Sequence, residues 1–235
     1  MIDVHAHILP GVDDGSPDLY DSLLLAEMAL ESGGTAIIAT PHSHARRDAH
    51  EHMRRVRAAY DELCGAIAAR SLPLTVLPGM ELYCADDLPA RLTDGTALPL
   101  NGTDRMLIEF PFDAPAAFCL RSIETVLRAG FVPVIAHPER YRCVQGLRAP
   151  DAKWRRLGCE LQLSKDSVFG AYGSRAGHAA ARLLRAGAYT CVGSDAHSPY
   201  ARTTHMGDIR DYLADRLPAE EAALLLGGNA RRNLF

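Results

Sequence analysis

Nine side chains of types that commonly bind metal ions fall at, or just beyond, the ends of short apolar runs in this sequence. In chain order they are His5, His7, Asp14, His42, Glu81, Glu109, His137, Asp195 and His197. Because an unpaired charge is expensive to remove from water, a buried strand seldom ends in a charged group unless something pairs with it. Carboxylates and imidazoles that converge on one point are suitable ligands for a cluster of divalent cations. The pattern therefore predicts a multinuclear metallohydrolase.

A His-x-His pair opens the series, since one residue separates His5 from His7. Side chains alternate along a strand, so both imidazoles lie on the same side of it. This motif alone is often matched by chance, but here further ligand types follow it at the ends of successive strands. Ordinary buried salt bridges would explain one or two of these groups, but not the whole set. We therefore expect a metal site.

Two arginines stand close to these ligands in the sequence. Arg140 comes three residues after His137, and Arg202 comes five residues after His197. A planar guanidinium can hold a phosphate through two parallel hydrogen bonds, and metal ions can activate a water as hydroxide while they neutralise the oxygens of a phosphate ester. The pattern favours phosphoester hydrolysis, with Arg140 and Arg202 as catalytic and substrate-binding residues. For Arg202, an ordinary surface charge is nearly as good an interpretation.

Two positions near the ligands stay open. His44 lies two residues beyond His42 and is a candidate for a substrate contact. Asp13 and Asp14 are adjacent, and either of them could be the metal ligand. The other histidines lie in loops or helical stretches, where solvated or structural roles are more frequent: His50, His52, His178 and His205.

Strand and helix patterns alternate along the chain. The apolar runs predict seven strands, at Met1–His5, Thr35–Thr40, Leu74–Pro78, Met106–Phe110, Val132–Ala136, Cys159–Leu163 and Tyr189–Gly193. Helical periodicity predicts helices near 18–32, 48–70, 116–129, 143–157, 176–186, 205–216 and 218–226. In the first helix, Ser16 is the expected N-cap and Pro17 the first helical residue. This alternation is typical of a parallel sheet flanked by helices.

The spacing of the ligands favours a closed barrel over an open sheet. Ligands from position 5 to position 137 advance by about one strand–helix unit at a time, and two units precede Asp195. The strand ends of a closed barrel meet at one face, whereas an open sheet would spread the ligands over too wide a front. We therefore predict an α/β fold, a distorted TIM-like (β/α)7 barrel, as one domain over residues 1–235.

The composition limits the classes of function. Hydrophobic residues make up 48% and charged residues 23% of the chain, as in globular proteins. The net charge of −4 argues against a nucleic-acid-binding surface. No stretch is apolar and long enough to span a membrane and no signal pattern begins the sequence, so we expect a cytoplasmic protein without membrane insertion. The six cysteines are scattered, which predicts reduced thiols; the oligomeric state stays open.

Six motifs in this order resemble the bacterial capsule-system tyrosine phosphatases of the polymerase and histidinol phosphatase (PHP) superfamily. The motifs are MIDVHAHILPGVDDGS, TPHSH, PGMEL, LIEFPF, AHPERY and SDAHS. The resemblance runs from Met1 to about Arg202 and continues weakly in GGNARRNLF. It implies a distorted PHP-type barrel and a metal-dependent enzyme. Its substrate would be phosphotyrosine in the flexible tail of a bacterial tyrosine kinase that governs capsule and exopolysaccharide synthesis.

The resemblance also implies how the ligands share three divalent ions, usually manganese, although the same donors suit iron and zinc. The first ion would bind to His5, His7, Glu81 and Asp195. The second would share Glu81 and add Glu109 and His137. The third would bind to Asp14, His42 and His197.

The two arginines and one loop complete the comparison with that family. Arg140 matches its phosphate-binding, catalytic arginine, and Arg202 matches a second arginine less firmly. The chain departs from the family pattern at Ser164, where an asparagine is usual. Substrate contacts from the segment Gln162–Lys165 can therefore differ from those of the family.

Three alternatives accompany this interpretation. Cys64 and Arg70 have the Cys-x5-Arg spacing of thiol-based phosphatases, but the segment is alanine-rich and lacks a glycine-rich phosphate cradle at a helix N-terminus. A small-molecule phosphatase of the PHP superfamily, such as a histidinol-phosphate phosphatase, would use the same type of metal site. A non-catalytic metal-binding module that docks a kinase is the third, and Arg140 with the intact ligand set argues against it.

Overall fold

The computed structural model describes residues 1–43, 48–146 and 149–235. The strands in these ranges are β1 (Ile2–Ala6), β2 (Ala36–Ala39), β3 (Thr75–Pro78), β4 (Glu81–Tyr83), β5 (Arg105–Glu109), β6 (Val132–Ile135), β7 (Glu160–Ser164) and β8 (Cys191–Gly193). The helices are α1 (Leu19–Glu31), α2 (Ala49–Ala69), α3 (Leu88–Arg91), α4 (Ala116–Arg128), α5 (Asp151–Arg156), α6 (Gly173–Arg185), α7 (Gly207–Ala214), α8 (Ala219–Ala223) and α9 (Asn229–Asn233). Short 3-10 turns include Pro138–Arg140 and Lys165–Phe169.

The strands pair in parallel and form two sheets. One sheet has the order β1–β2–β3, and the other has the order β4–β5–β6–β7–β8. Two isolated parallel bridges, Ala6 with Ala196 and His42 with Glu81, connect the sheets. The carboxyl ends of parallel strands lie at one edge, where α/β proteins usually bind their ligands. The prediction of an α/β fold with parallel strands is confirmed.

The described ranges contain eight strands rather than the seven predicted, because the chain changes its pairing partner between β3 and β4. Pro78 ends β3, and a Cβ atom at Gly79 would lie 2.8 Å from Cγ2 of Ile38. Only glycine fits this close approach. The chain then leaves β2 and pairs with β5, where Glu81 stands opposite Leu107. Strand pairing therefore yields two sheets, and the closed (β/α)7 barrel stays a prediction.

The first helix has a different N-cap from the one predicted. The Asp18 carboxylate, rather than the Ser16 hydroxyl, accepts a hydrogen bond from the backbone N–H of Asp21, at 3.0 Å. The Ser16 hydroxyl instead donates to the backbone carbonyl of Asp18, at 2.8 Å. Both residue types are good N-caps, so the sequence pattern placed the helix correctly but its first turn too early.

The helix predicted over 143–157 is much shorter in the structure. Residues 143–146 form turns, and α5 covers only Asp151–Arg156. Proline disfavours a helical backbone at the residue before it. Pro150 occupies the N-cap position of α5, so the helix cannot begin earlier along this stretch.

Buried aromatic rings support the loop that follows β6. The ring centroids of Phe110 and Tyr141 are 5.3 Å apart, and those of Phe110 and Trp154 are 5.7 Å apart. The Tyr141 hydroxyl donates to the carbonyl of Ala136 at 2.8 Å and accepts from the N–H of Phe110 at 3.2 Å. These bonds fix the ends of β5 and β6 relative to each other.

The structure also bears on two properties expected from composition. In the part of the chain that is described, no helix is both long enough and apolar enough to cross a membrane. All six cysteines are free thiols, and four of them are buried.

Candidate metal centre

The nine predicted metal-binding residues lie together in one pocket at the carboxyl edge of the strands. Strands carry three of them: His5 in β1, Glu81 in β4 and Glu109 in β5. Loops that follow strands carry the other six: His7, Asp14, His42, His137, Asp195 and His197. Each of the nine takes part in at least one imidazole–carboxylate pair within this set, with the nitrogen and oxygen at most 3.7 Å apart. The substrate contact predicted for His44 lies outside the described residues.

Glu81 occupies the centre of the pocket. Its Oε2 lies 3.4 Å from Nε2 of His5, 3.3 Å from Nε2 of His7 and 3.0 Å from Nδ1 of His42. Its Oε1 lies 3.0 Å from Nε2 of His137. Burial would raise the pKa of this carboxyl, but the surrounding imidazoles, led by His5, hold it well below its usual range. Both carboxylate oxygens thus face imidazole nitrogens, which is the arrangement that a bridging metal ligand needs.

Three overlapping groups of donor atoms are close enough to hold a cation, with all atoms of a group within 4.8 Å of one another. The first consists of His5, His7 and Glu81. The second consists of His42, Glu81 and Glu109. The third consists of His7, Asp14, His42 and His197.

The donor chemistry fits divalent cations. Nε2 of His5 and Nε2 of His7 face each other at 3.1 Å, and a pair of neutral rings can satisfy that contact only if one of them donates a proton. The Oε2 atom of Glu81 is buried and faces three imidazole nitrogens at 3.0 to 3.4 Å. A cation shared among these atoms would satisfy all three. Mixed imidazole and carboxylate donors suit manganese, iron and zinc.

Some ligand positions hold protons when no cation is present. Burial lowers the pKa of His5, but the carboxylates of Glu81 and Asp195 outweigh it and raise the pKa to about 10. Burial also lowers the pKa of His42, and Glu81 with Glu109 raises it to about 9. Burial and the neighbouring charge of Glu81 raise the pKa of Glu109 to about 8.

Two other imidazoles stay neutral. Burial, together with the nearby guanidinium of Arg140, lowers the pKa of His137 to about 4. Burial, together with His7 and Arg202, lowers the pKa of His197 to about 3. Neutral imidazole is the form that binds metal, so these two rings are ready to bind at neutral pH.

Asp14, not Asp13, lies among the ligands. Oδ1 of Asp14 is 3.4 Å from Nε2 of His42 and 3.6 Å from Nε2 of His197. Oδ2 of Asp13 instead accepts from Nδ1 of His7 at 2.8 Å and from the backbone N–H of His42 at 2.9 Å. A carboxylate behind a histidine fixes the tautomer and orientation of the ring. This geometry favours Asp14 as the ligand and gives Asp13 an orienting position.

Gln162 is a second orienting residue, and the sequence pattern did not identify it. Its Oε1 lies 3.0 Å from Nδ1 of His5 and accepts from the backbone N–H of His137 at 3.2 Å. A Cβ atom at Gly193 would lie 2.5 Å from Cβ of His5 and 2.8 Å from Nε2 of Gln162. Glycine in β8 is thus what leaves room for this contact.

Two of the ligands have left-handed backbone conformations. The φ angle is 32° at His137 and 54° at Asp195. Few residues other than glycine adopt such angles, although aspartate and histidine do so more often than most. This conformation is costly and is concentrated at functional sites. Here it occurs where the chain leaves β6 and β8 and turns a side chain back into the pocket.

Both predicted arginines contact Asp195. Nη1 of Arg140 lies 2.9 Å from Oδ2 of Asp195, and Nη2 of Arg202 lies 2.5 Å from the same oxygen. The other oxygen, Oδ1, lies 3.6 Å from Nε2 of His5. Burial would raise the pKa of Asp195, but His5, His137 and Arg202 hold it below its usual range. Asp195 thus stands between the ligands and the arginines.

A buried carboxylate anchors the turn that carries Arg140. Oε1 of Glu139 accepts from the backbone N–H of Ser164 at 3.0 Å and from the hydroxyl of Ser167 at 2.6 Å. Oε2 accepts from the hydroxyl of Tyr189 at 3.0 Å. The end of β7 therefore supports the Pro138–Arg140 turn through the backbone N–H of Ser164, which any residue except proline could supply.

The thiol alternative does not fit the structure. Cys64 lies inside α2, and burial raises the pKa of its thiol. Arg70 pairs with Glu27 at 3.1 Å. A nucleophilic cysteine needs a lowered pKa in a phosphate cradle, and neither condition is met.

Parallel strands whose carboxyl ends converge on imidazoles, carboxylates and two arginines define an α/β protein with a metal-binding pocket. The chain belongs to the capsular polysaccharide synthesis family CpsB/CapC, whose family model matches residues 1–234. The resemblance inferred from the six motifs is thus confirmed.

Relatives with known names agree with this assignment. Tyrosine-protein phosphatase YwqE of Bacillus subtilis is 34% identical over 232 residues, which cover 98% of this chain and 90% of that protein. Tyrosine-protein phosphatase CpsB of Streptococcus agalactiae is 28% identical over 237 residues, which cover 98% of this chain and 97% of that protein.

Solved structures agree as well. A structure solved for YwqE of Bacillus subtilis and CpsB of Streptococcus pneumoniae, described as metal-dependent tyrosine phosphatases, aligns with a TM-score of 0.89 at 33% identity. The alignment covers 100% of this chain and 94% of that one. The lactonase Lmo2620 of Listeria monocytogenes aligns with a TM-score of 0.61 at 12% identity, which indicates a shared fold alone.

Proposed function

We propose that this chain is a metal-dependent tyrosine-protein phosphatase of a capsule system, and that its substrate is phosphotyrosine in the tail of a bacterial tyrosine kinase. Membership of the CpsB/CapC family and the names of the relatives support the reaction class. The observation that carries the proposal is the shared carboxylate of Glu81 with four imidazoles around it, beside two arginines on Asp195.

The proposal includes three divalent ions, with manganese as the expected metal. We assign these ions to His5, His7, Glu81 and Asp195; to Glu81, Glu109 and His137; and to Asp14, His42 and His197. The three groups of donor atoms support three ions, and they add His7 to the third set and His42 to the second.

The proposal also includes closure of the two sheets into a distorted PHP-type barrel as one domain over 1–235. The backbone hydrogen bonds from Asp195 to His5 (2.8 Å) and from Glu81 to Pro41 (3.1 Å) support it.

The side chains around the proposed metal ions have different roles in phosphate hydrolysis. Bound divalent ions supply positive charge that neutralises the phosphate oxygens and activates a water for attack. Arg140 and Arg202 each use one nitrogen on Asp195, and a guanidinium has five N–H donors. The remaining donors hold and orient the phosphate. Asp13 and Gln162 keep the rings of His7 and His5 in fixed orientations, so the site is organised before substrate binds.

The test compares substrates on purified, metal-loaded protein. We expect hydrolysis of a phosphotyrosine peptide, its loss in excess EDTA, and better recovery with manganese than with magnesium. Cys64→Ser serves as a control and should retain full activity. Preference for histidinol phosphate would identify a small-molecule phosphatase instead. Metal-loaded protein that binds the peptide without hydrolysing it would identify a non-catalytic module, and full activity with metal shown to be absent would exclude the metal mechanism.

A further inference from the structure

An open groove adjoins the metal-binding pocket. It has a volume of about 490 Å³ and begins at His42 and Glu109. Three aromatic residues, Tyr83, Phe110 and Phe112, line it. The other lining residues used below are Asp113 and Arg142. The groove therefore joins two proposed metal ligands to an aromatic surface.

Phe112 is an exposed aromatic residue held in a fixed place. It is 42% exposed, whereas Phe110, two residues earlier, is fully buried in the core. The backbone carbonyl of Phe112 accepts from the N–H of Arg142 at 2.8 Å. Its ring centroid lies 5.9 Å from that of His137. The exposed ring of Phe112 therefore lies beside a proposed metal ligand, where the groove begins.

The Phe112 ring also touches the proposed phosphate-binding group. The guanidinium carbon of Arg140 lies 4.4 Å from the Phe112 centroid and 4.2 Å from the Tyr172 centroid. Arg140 thus lies between two rings, and only one of them, Phe112, lines the groove. Cation–π contacts of this kind hold a guanidinium in a defined orientation.

We propose that the groove binds the aromatic ring of the phosphorylated tyrosine, and that Phe112 is the residue that selects aryl over alkyl phosphates. The inference rests on the proposed function, since it takes the phosphate to lie at Arg140 and the metal ions. One ester oxygen joins the phosphorus to the ring in phosphotyrosine. The ring must therefore lie beside the groups that hold the phosphate, and the groove with Phe112 begins there.

The polar outer part of the groove fits a peptide better than a free small molecule. Arg142 and Asp113 are both exposed and line this part. Their opposite charges can contact the backbone and polar side chains that flank a phosphotyrosine in a chain. The inner aromatic part gives selectivity for the ring, and the outer part accommodates the rest of the substrate.

Tyr172 provides a matched control for Phe112. Both rings lie against Arg140 at similar distances, so removal of either one loosens the same guanidinium. Only Phe112 should also contact the substrate ring. Tyr172→Leu therefore reports the effect on phosphate binding, and the additional effect of Phe112→Leu reports the ring contact.

The test measures dissociation constants of phenylphosphonate and methylphosphonate on the manganese-loaded protein by calorimetry. A pair of aromatic rings contributes about 0.5–1.5 kcal/mol beyond area burial, or roughly twofold to tenfold in affinity. We expect Phe112→Leu to weaken the binding of both compounds. The loss of affinity for phenylphosphonate should exceed the loss for methylphosphonate by that factor. Tyr172→Leu should weaken the binding of both compounds by the same factor. Phe112→Tyr should restore the preference for phenylphosphonate. Thermal unfolding and metal content of each variant establish that the pocket is intact.

The possible results separate the inference from the proposed function. Equal losses for the two phosphonates in Phe112→Leu, in protein that hydrolyses phosphotyrosine, would overturn the assignment of the groove. An unequal loss in Tyr172→Leu would also overturn it, because selectivity would then arise from Arg140. Failure of the wild-type protein to hydrolyse phosphotyrosine would overturn the proposed function itself.

Discussion

The metal-binding pocket has two regions that differ in exposure. Its floor consists of His5, His7, Glu81, His137 and Asp195, each at most 1% exposed, together with Glu109, which is 7% exposed. Its rim consists of Asp14, His42 and His197, whose side chains are 72%, 13% and 11% exposed. The floor residues lie in or directly after strands, whereas Asp14 lies on the long loop after β1.

This difference predicts how firmly each region holds its ions. Asp13 and Gln162 orient the rings of His7 and His5 from behind, and such partners strengthen metal binding. The exposed carboxylate of Asp14 is well hydrated. Dissociation of its metal ion therefore costs it less free energy than it would cost a buried carboxylate. We therefore expect tightly held metal at the floor and exchangeable metal at the rim.

The largest effect should follow from breaking the floor. Glu81→Gln removes the charge that two of the donor groups share, so we expect activity to fall below detection and metal content to drop. Asp14→Asn, the matched change at the rim, should lower activity less, and added manganese should restore much of it. Metal analysis and phosphatase assays over a manganese titration measure both. Equal losses that excess metal does not restore would contradict the distinction between floor and rim.

A large effect without metal loss should follow from Arg140→Ala. Removal of one donor to a developing negative charge costs about a hundredfold to a thousandfold in kcat. Arg202 still pairs with Asp195 in this variant, so the ions should stay bound. Steady-state kinetics and metal analysis test this, with the exposed Arg128→Ala as the control. Loss of metal in Arg140→Ala would show that Arg140 is structural.

A smaller effect should follow from weakening the support behind the floor. Asp13→Asn leaves an acceptor beside Nδ1 of His7 but removes the charge, and loss of such a partner costs roughly tenfold to a hundredfold in metal affinity or activity. The manganese concentration for half-maximal activity measures the effect. An unchanged value would mean that the shape of the pocket alone orients His7.

A further effect concerns the protons that metal binding displaces. His5 and His42 have pKa values of about 10 and about 9 in the metal-free pocket, above the ordinary value of 6.5. Both rings are therefore protonated at neutral pH and must lose a proton to bind metal, so metal affinity should rise with pH up to about 10. Calorimetry in buffers of different ionisation enthalpy measures the protons released. Heats that do not depend on the buffer would contradict these pKa directions.

The sequence was sufficient to predict which side chains gather in the pocket. Ligand types at the ends of apolar runs need only a parallel sheet to bring them to one edge, and this requirement does not depend on details of packing. The short strand β4 was not predicted, although the Pro-Gly pair at 78–79 indicates a break in strand pairing just before Glu81.

The orienting residues could not be predicted in the same way. Gln162 and His5 are 157 positions apart, and their contact depends on the space left by Gly193. The choice between Asp13 and Asp14 depends on which carboxylate the tight turn at 13–15 directs behind His7. Neither contact has a periodic pattern, because each arises from the packing of distant segments.

The two oxygens of Asp195 constrain how this enzyme could evolve. Oδ1 faces the imidazoles and Oδ2 faces both arginines. A buried carboxylate oxygen without a partner is costly, so at least one arginine must be retained for as long as Asp195 is. A lineage that acquires a new phosphorylated substrate therefore cannot lose both Arg140 and Arg202. The groove positions Phe112, Asp113 and Arg142 are not among the nine proposed ligands, and we expect substrate preference to change there first.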